Sequence, residues 1–403
     1  MAETTLPAVR LQRAMPWLVA VLLIWNFLRG FALHPDPYAL GQYFYTYEGG
    51  FLIRGLMGSL VTTVAGPEPM AMHRVILILS VIEYLGLIAV LLWVFGKLRH
   101  PDGPARATDN ILLLILLSGP FLVGIGATRG FHDSLILSLG LLAWLAWVRE
   151  RPLIALILMA LATLIHEQVV FFILPAMGWW LWIHPQHRGR RLPLTPSLSL
   201  AGMCVITLLV VHFGKASPAQ LDLIHHKVAV ALETPYLEVW ANPQFIEIAA
   251  ANDVPRNVSL HNYARLRFPG HLIMLSPALA FWLLAARPAF AQRRWAGIGV
   301  MTFAMLLPHS LYLFAEDVHR YIPYAGLTAF LIALHSLSLA PSTVRFPFLS
   351  NAVLLVFVLA QTLFWDYDPV HYNARNSTPL LELIRTVGDP NWVRPSQVGT
   401  PHA

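Results

Sequence analysis

The sequence has little charge and almost no cysteine, and both shortages limit what the protein can be. Only 12% of its 403 residues are charged, whereas 57% are hydrophobic, and the mean hydropathy is +0.61. Soluble domains carry about twice that share of charged residues. The single cysteine, Cys204, excludes a disulfide framework and a cysteine-based metal site. Lipid is therefore the expected solvent for most of the chain.

The apolar residues form long runs that are separated by short polar connections. A transmembrane helix needs about 20 mostly apolar residues. We predict an all-α, polytopic transmembrane helix bundle of about eleven spans, at 15–33, 74–96, 109–127, 134–148, 152–165, 169–183, 196–213, 269–286, 296–314, 322–340 and 347–365. The runs between 134 and 183 are too short to cross a bilayer upright. Two of them are expected to be half-crossings that meet at a polar hairpin.

The chain divides along its length into four predicted segments. Residues 1–213 form an N-terminal transmembrane module with the first outer loop, and residues 214–269 form an outer loop with amphipathic helical stretches. Residues 270–365 are the C-terminal transmembrane helices, and residues 366–403 are an outer tail. Within the first segment, the apolar stretch from Phe51 to Ala65 is interrupted by Arg54, Gly55 and Gly58. This interruption predicts an interfacial or re-entrant helix after the first span.

The basic residues give the orientation of the chain and do not indicate nucleic-acid binding. With a cytoplasmic N-terminus, the inside segments hold fourteen of the 27 Lys and Arg residues but only four of the 21 Asp and Glu residues. An excess of Lys and Arg on the cytoplasmic side is the rule for membrane proteins. The opposite face, periplasmic in a bacterial inner membrane, therefore carries most of the acidic side chains.

Four polar clusters fall on this outer face, although they are distant in sequence. They are His34–Tyr38 with Tyr43, Tyr45, Tyr47, Glu48 and the Gly49–Leu56 stretch; Thr128–Asp133; His166–Gln168; and Glu316–Tyr321. A carboxylate such as Glu167 between two apolar runs is costly unless it faces a polar cavity or a partner, which favours a functional role. Glu83, inside the second span, is interpreted instead as a structural residue that hydrogen-bonds a neighbouring helix.

Other kinds of site find less support in the residue spacing. His166-Glu167 lacks the second histidine of a zinc motif, and no phosphate-binding glycine loop or GxSxG nucleophile turn is present. The adjacent pair His225-His226 is a weak candidate for metal binding. We therefore predict no metal ligand and no certain cofactor, and the need for a divalent cation stays open. The tyrosines at 43, 45 and 47 fit an interfacial belt slightly better than a surface that stacks on sugar rings.

The order of these features resembles the GT-C superfamily of membrane glycosyltransferases, which use polyprenyl-phosphate-linked sugars. Asp36 stands where such enzymes carry a carboxylate just after the first helix, and Phe51 to Ala65 follows as the interfacial helix. Arg129 to Pro175 resembles their paired middle helices, with His166-Glu167 where many relatives have Lys-Glu. Asp317-Val-His-Arg-Tyr-Ile-Pro323 resembles the Arg-Tyr-x-x-Pro start of a late helix. The Gly49–Leu56 stretch also resembles bacterial membrane proteins of unassigned activity, which indicates a divergent branch.

The resemblance implies a role for each residue of the predicted site. Asp36 would take the proton of the acceptor hydroxyl, with Glu48 as its substitute. The donor phosphate would be bound by Arg320, Arg129, His319 and Arg54, because guanidinium groups grip phosphate oxygens in pairs. Substrate would be oriented by His132, Asp133, His166, Glu167, Asp317 and Tyr321. The implied partners are a polyprenyl-phosphate-linked sugar, a glycan, lipid or protein acceptor, and the lipid bilayer.

Two other functions share part of this pattern. A polysaccharide or O-antigen-type polymerase also joins lipid-linked sugars at the outer face, but it uses lipid-diphosphate oligosaccharides. A transporter or flippase for a lipid-linked sugar should have charged residues along both halves of its path, whereas here they collect on one face. The sequence does not identify the sugar, the acceptor or the length of the lipid.

Overall fold

The computed structural model describes residues 6–31, 41–101, 103–128, 130–188, 194–233, 270–291, 293–313, 318–339, 356–358, 361–362, 366–368 and 373–375. At some helix ends, including 6–12 and 318–320, it describes the backbone alone. The chain packs as two compact units that are discontinuous in sequence. The first unit is Met1–His34, Leu98–Ala127 and Leu260–Ala403, and the second is Pro35–Lys97 and Thr128–Ser259.

The described chain is overwhelmingly helical, as its apolar runs predict. Its helices are α1 (Leu6–Phe31), α2 (Gly55–Ala65), α3 (Pro69–Leu98), α4 (Gly103–Ser118), α5 (Pro120–Ala127), α6 (Asp133–Val148), α7 (Pro152–Ile165), α8 (Val169–Arg188), α9 (Leu194–Phe213), α10 (Pro218–Leu232), α11 (Gly270–Ala291), α12 (Trp295–Leu306) and α13 (Val318–Ser338). Short 3-10 helices lie at Gln42–Phe44 and Leu307–Leu313. In the tail, β1 (Asp366–Asp368) pairs antiparallel with β2 (Asn373–Arg375); this ladder of three residue pairs leaves the fold class all-α, as predicted.

Four helical stretches are long and apolar enough to cross a membrane, so the chain is a membrane protein. Among the described residues these are Arg13–Phe31, Pro69–Leu98, Arg106–Ala127 and Leu194–Phe213. The third includes the break between α4 and α5, where Gly119 and Pro120 interrupt the helix. Shorter apolar helices include Asp133–Val148 and Pro152–Ile165. The predicted span at 347–365 lies almost wholly outside the described residues.

The first unit packs its apolar helices around α5 and α13. Helix α1 lies against α4 and α5, and α13 lies against α4, α5 and α11. The Asn26 amide donates a hydrogen bond of 2.6 Å to the carbonyl of Leu117, which anchors α1 to α4. Phe281 and Phe330 join α11 to α13 with their rings edge to face at 5.7 Å. This unit also contains α13, the predicted late helix that begins near Arg320.

In the second unit, α6 and α7 form an antiparallel hairpin with a tight turn at Arg149, Glu150 and Arg151. Pro152 is the first residue of α7, a position that needs no backbone donor. The 16 residues of α6 and the 14 residues of α7 measure about 24 and 21 Å. Both fall short of the roughly 30 Å hydrocarbon core. Because the two helices share one turn and differ in length by only about 3 Å, their other ends, at His132 and His166, are level with each other. Both ends are polar.

The loop before α2, called the first loop below, is described over residues 41–54. It lies on α2, the helix predicted to be interfacial. Helix α2 has only 11 residues and is too short to span a bilayer. Gly58 of α2 touches the loop backbone so closely that a Cβ atom there would lie 1.9 Å from the Tyr45 carbonyl and 2.5 Å from the Tyr43 carbonyl. Tyr43 completes a buried cluster with Val61, Met72 and Ile76 of α2 and α3.

Helix α10 covers the other side of the first loop, so the segment 214–269 is partly helical, as predicted. Ser217 caps α10 through a reciprocal pair of hydrogen bonds with Gln220, 2.9 and 3.3 Å long. Ile224, Val228 and Ala231 on one face of α10 pack against Phe44, Tyr45 and Leu52. The amide of Gln220 also donates to the carbonyl of Gly50 at 3.2 Å. The first loop is thus held between α2 and α10.

The contact at Gly58 predicts that Gly58→Ala destabilises the protein. The added methyl group would collide with backbone atoms that cannot rotate away, and such overpacking costs about 1–3 kcal/mol. Gly86→Ala on α3 is the matched control, because a Cβ atom there meets nothing within 4 Å. Thermal unfolding in lipid nanodiscs should show a melting temperature several degrees lower for Gly58→Ala alone. Equal melting temperatures for the two variants would contradict the close contact.

Candidate functional site

The strongest polar contact in the second unit joins the first loop to the end of the α6–α7 hairpin. The Arg54 Nε–H donates to Glu167 Oε2 at 3.1 Å, and Arg54 Nη2 donates to Glu167 Oε1, so the carboxylate is gripped by both arms of the guanidinium group. The two side chains are only 14% and 13% exposed. A bidentate pair shielded from water is far stronger than an exposed salt bridge. Two of the predicted polar clusters therefore meet here.

Two neighbours keep the Glu167 carboxylate ionised although burial opposes its charge. Burial alone would raise the pKa of Glu167, but the charges of Arg54 and of His166 and the hydrogen bonds from Arg54 together lower it from 4.5 to about 2. The His166 ring is buried, with Nδ1 3.4 Å from Glu167 Oε2. His166 ends α7 in an extended conformation, which turns the chain toward α8. Glu167 is thus an anion at any physiological pH.

The backbone that leads to Arg54 contains several residues in the left-handed region. Gly49 and Gly50 have φ angles of +87° and +124°, which L side chains rarely adopt. Their tight turn is followed by a backbone hydrogen bond of 2.9 Å from Ile53 to the carbonyl of Gly214. Arg54 itself has φ +65°. A left-handed arginine costs on the order of 1 kcal/mol and persists only where its surroundings enforce it, often at functional sites.

A second polar group surrounds His132, the residue before α6. Its ring Nδ1 lies 3.1 Å from Glu83 Oε1 and 3.4 Å from the Tyr43 hydroxyl. Burial, and then the charge of Glu83, hold the pKa of Tyr43 well above its ordinary value, so the phenol keeps its proton. His132 has φ +60°, the second left-handed residue among the predicted site residues. The first loop therefore contacts the Thr128–Asp133 cluster as well.

The remaining described candidates have contacts of their own. Asp133 is buried, and the Thr128 hydroxyl donates to its Oδ2 at 3.4 Å. Glu48, the predicted substitute base, is 62% exposed and accepts a hydrogen bond of 2.7 Å from Lys227 on α10. Glu48 therefore links the first loop to α10 through this ion pair. Tyr321 is buried in α13 within the first unit.

Several predicted site residues lie outside what the structure describes. Asp36, Arg129 and Asp317 are outside the described residues, and for His319 and Arg320 only the backbone of α13 is described. Their predicted roles stay predictions. Of the four clusters, the structure joins the first to the second and to the third, all within the second unit.

Two interpretations from the sequence change in the structure. Tyr43 and Tyr45 are buried in the protein, at 0% and 2% exposure, so the expectation of an interfacial belt is wrong for both. They pack instead under α10 and against α2, because Gly58 lets the loop approach closely. Glu83 does bond a neighbouring element, as expected, but its partner is a residue of the predicted site. Its position inside an apolar run was the signal for that role.

The arrangement gathers carboxylates, an arginine and two histidines at the polar end of the α6–α7 hairpin. Such a group can hold a hydroxyl-bearing ligand, since it offers hydrogen-bond donors and acceptors away from bulk water. Among the described residues, no group of three His, Cys, Asp or Glu side chains is placed to hold a metal ion. No family model matches the chain, and no curated protein or solved structure matches it.

The buried pair predicts that Glu167→Gln is far more damaging than loss of the whole pair. Removing one partner leaves the Arg54 charge buried, at a cost of about 3–5 kcal/mol, whereas replacing both partners with apolar residues is often close to neutral. Arg54→Met/Glu167→Met should therefore melt well above Glu167→Gln in nanodiscs. If the double variant is the less stable of the two, the pair is not buried as described.

The lowered pKa of Glu167 also predicts how stability depends on pH. Because the carboxylate titrates near 4.5 when unfolded and at about 2 when folded, its contribution is fully present above pH 4.5. It is lost as the pH falls toward 2 and amounts to about 3 kcal/mol. The melting temperature of wild type minus that of Arg54→Met/Glu167→Met should stay constant from pH 7 to 5. Below pH 5 this difference should decrease, because wild type alone loses the contribution of the carboxylate. A difference that stays constant down to pH 3 would contradict the lowered pKa.

Proposed function

We propose that the protein is a membrane glycosyltransferase that moves a sugar from a polyprenyl-phosphate donor to a glycan, lipid or protein acceptor. The observation that carries the proposal is the contact between Arg54 of the first loop and Glu167 at the middle helical step. The GT-C resemblance assigns both residues to one substrate site, although they are far apart in sequence. The short helix α2 and the level polar ends of α6 and α7 also support it.

The proposed transfer is a single displacement at the anomeric carbon. Asp36 takes the proton of the acceptor hydroxyl while the acceptor oxygen forms a bond to the anomeric carbon. The bond from that carbon to the phosphate oxygen breaks, and its electron pair leaves with the polyprenyl phosphate. Arg320, Arg129 and His319 offset the charge that builds on the departing phosphate. These roles rest on the resemblance.

The described residues have supporting roles in this proposal. Since Glu167 occupies both arms of Arg54, we assign the pair to fixing the shape of the site and to holding sugar hydroxyls at its edge. His132, Asp133 and His166 orient the substrate beside it. Asp317 and Tyr321 keep the orienting roles that the resemblance implies.

We also propose more membrane crossings than the four candidate spans, together with an orientation of the chain. About eleven crossings would place the polar hairpin ends, α10 and the tail at the periplasmic face of a bacterial inner membrane, with the N-terminus in the cytoplasm. The excess of Lys and Arg in the opposite segments supports this orientation. A lipid-linked donor would then enter from the bilayer, beside the short α2.

The assignment of the base predicts that Asp36→Asn lowers transfer at least about 100-fold, because general-base catalysis contributes roughly that much or more. Asp222→Asn is the matched control, since Asp222 is an exposed carboxylate on α10. Both variants should insert and melt like wild type. The measurement is mass spectrometry of cell-surface glycans in a deletion strain complemented with each variant. Full restoration of the glycan by Asp36→Asn would remove Asp36 from this role.

A further inference from the structure

Glu83 is a carboxylate midway along α3, a helix that is otherwise apolar. It is 7% exposed, and its Oε1 lies 3.1 Å from Nδ1 of His132. A charge in a spanning helix is expensive and is retained where it serves a site. His132 belongs to the predicted site, whereas Glu83 has been given only a structural interpretation.

The contact determines which ring nitrogen of His132 carries the proton. A carboxylate can only accept a hydrogen bond, so Nδ1 must donate to Glu83. A neutral ring with its proton on Nδ1 has a lone pair on Nε2. Among the described residues, both contacts of the ring are made at Nδ1, and none supplies a donor to Nε2.

The Tyr43 hydroxyl competes for the same nitrogen. Were it to donate to Nδ1, the proton of the neutral ring would move to Nε2. The Tyr43 contact is the longer one, at 3.4 Å against 3.1 Å. Hydrogen bonds to an ionised group are about twice as strong as those between neutral groups. The Nδ1 proton of His132 is therefore donated to Glu83. Tyr43 packs edge to face against the ring, with the ring centroids 4.5 Å apart.

The backbone also holds His132 in one place. Its φ of +60° is unfavourable for a residue with a Cβ atom, and its carbonyl accepts the hydrogen bond of 3.0 Å from Ile136 that opens α6. A strained residue whose ring is fixed by a buried carboxylate has the rigidity that substrate recognition needs.

We propose that Glu83 is a positioning residue that fixes His132 as a hydrogen-bond acceptor, through Nε2, for a hydroxyl group of a bound sugar. This inference rests on the proposed transferase function, because that function supplies the sugar. It extends the site from the loop ends into the spanning helix α3. The hydroxyl belongs either to the donor sugar or to the acceptor, which offer the same chemistry.

The first test is the protonation state of the ring. Nitrogen-15 spectra of histidine-labelled protein in lipid, compared with those of His132→Gln, identify the His132 signals. The proposal predicts the proton on Nδ1 in wild type and in Ser80→Ala, the control one turn away on α3, whose hydroxyl bonds only within its own helix among the described residues. Glu83→Gln should lose this preference, since an amide can donate as well as accept. A proton on Nε2 in wild type would overturn the proposal.

The second test uses steady-state kinetics with deoxy sugars. Glu83→Gln should raise KM about tenfold, the effect of roughly 1.4 kcal/mol, and change kcat less. For a deoxy donor or acceptor that lacks the recognised hydroxyl, Glu83→Gln should cause no further rise in KM. The analogue that behaves in this way shows whether the hydroxyl belongs to the donor sugar or to the acceptor. A rise of equal size with every analogue, or none at all, would contradict the assignment.

Failure of this inference can be told apart from failure of the proposed function. If wild type transfers no sugar, the transferase proposal is wrong. The assignment of a sugar hydroxyl as the ligand of His132 is then wrong as well. The nitrogen-15 spectra still decide whether Glu83 positions the ring. If wild type is active and Glu83→Gln behaves like Ser80→Ala in both tests, only the role of Glu83 is wrong.

Discussion

A charge that is shielded from water must be paired, and in the second unit this requirement decides where the polar residues lie. Arg54 and Glu167 satisfy it through two hydrogen bonds, and Glu83 satisfies it through His132. Each pair joins segments that are far apart in sequence. An unpaired partner would cost several kcal/mol. Pairing of charge therefore holds the first loop against the end of α7 and holds α3 against the start of α6. Apolar packing of α2 and α10 encloses the first loop.

The second unit brings these groups together with short helices. Helices α6 and α7 are both shorter than the hydrocarbon core of a bilayer is thick. In the proposed transferase, His132 and His166 at their ends would therefore lie near the head group of a lipid-linked substrate. Interactions between charges and hydrogen bonds are stronger there than in water. Arg54 and His132, both in left-handed backbone conformations, are held in place by this packing. We infer from these features a site built for recognition of a phosphate-linked sugar.

Hydrophobic runs predicted most of the helices, including the short α6, α7 and α2, because burial in lipid leaves a strong pattern in the sequence. The charge positions and the family resemblance predicted that the clusters holding Arg54 and Glu167 share one face. The contact between the two side chains was not predicted, because no periodicity specifies it. The sequence did not predict burial of Tyr43 and Tyr45, since their packing depends on the close approach at Gly58. The partnership of Glu83 with His132 was likewise hidden, because it depends on how α3 and α6 pack.

We propose that the protein transfers a sugar from a polyprenyl monophosphate. Reconstituted turnover tests it most directly: purified protein in liposomes is given a radiolabelled polyprenyl-phosphate sugar, and the release of polyprenyl phosphate is measured beside a lipid-diphosphate oligosaccharide. We expect release of polyprenyl phosphate from the monophosphate donor, and this release should require both an acceptor and Arg54. Turnover of the diphosphate substrate alone, or movement of intact donor across the bilayer without release, would contradict it.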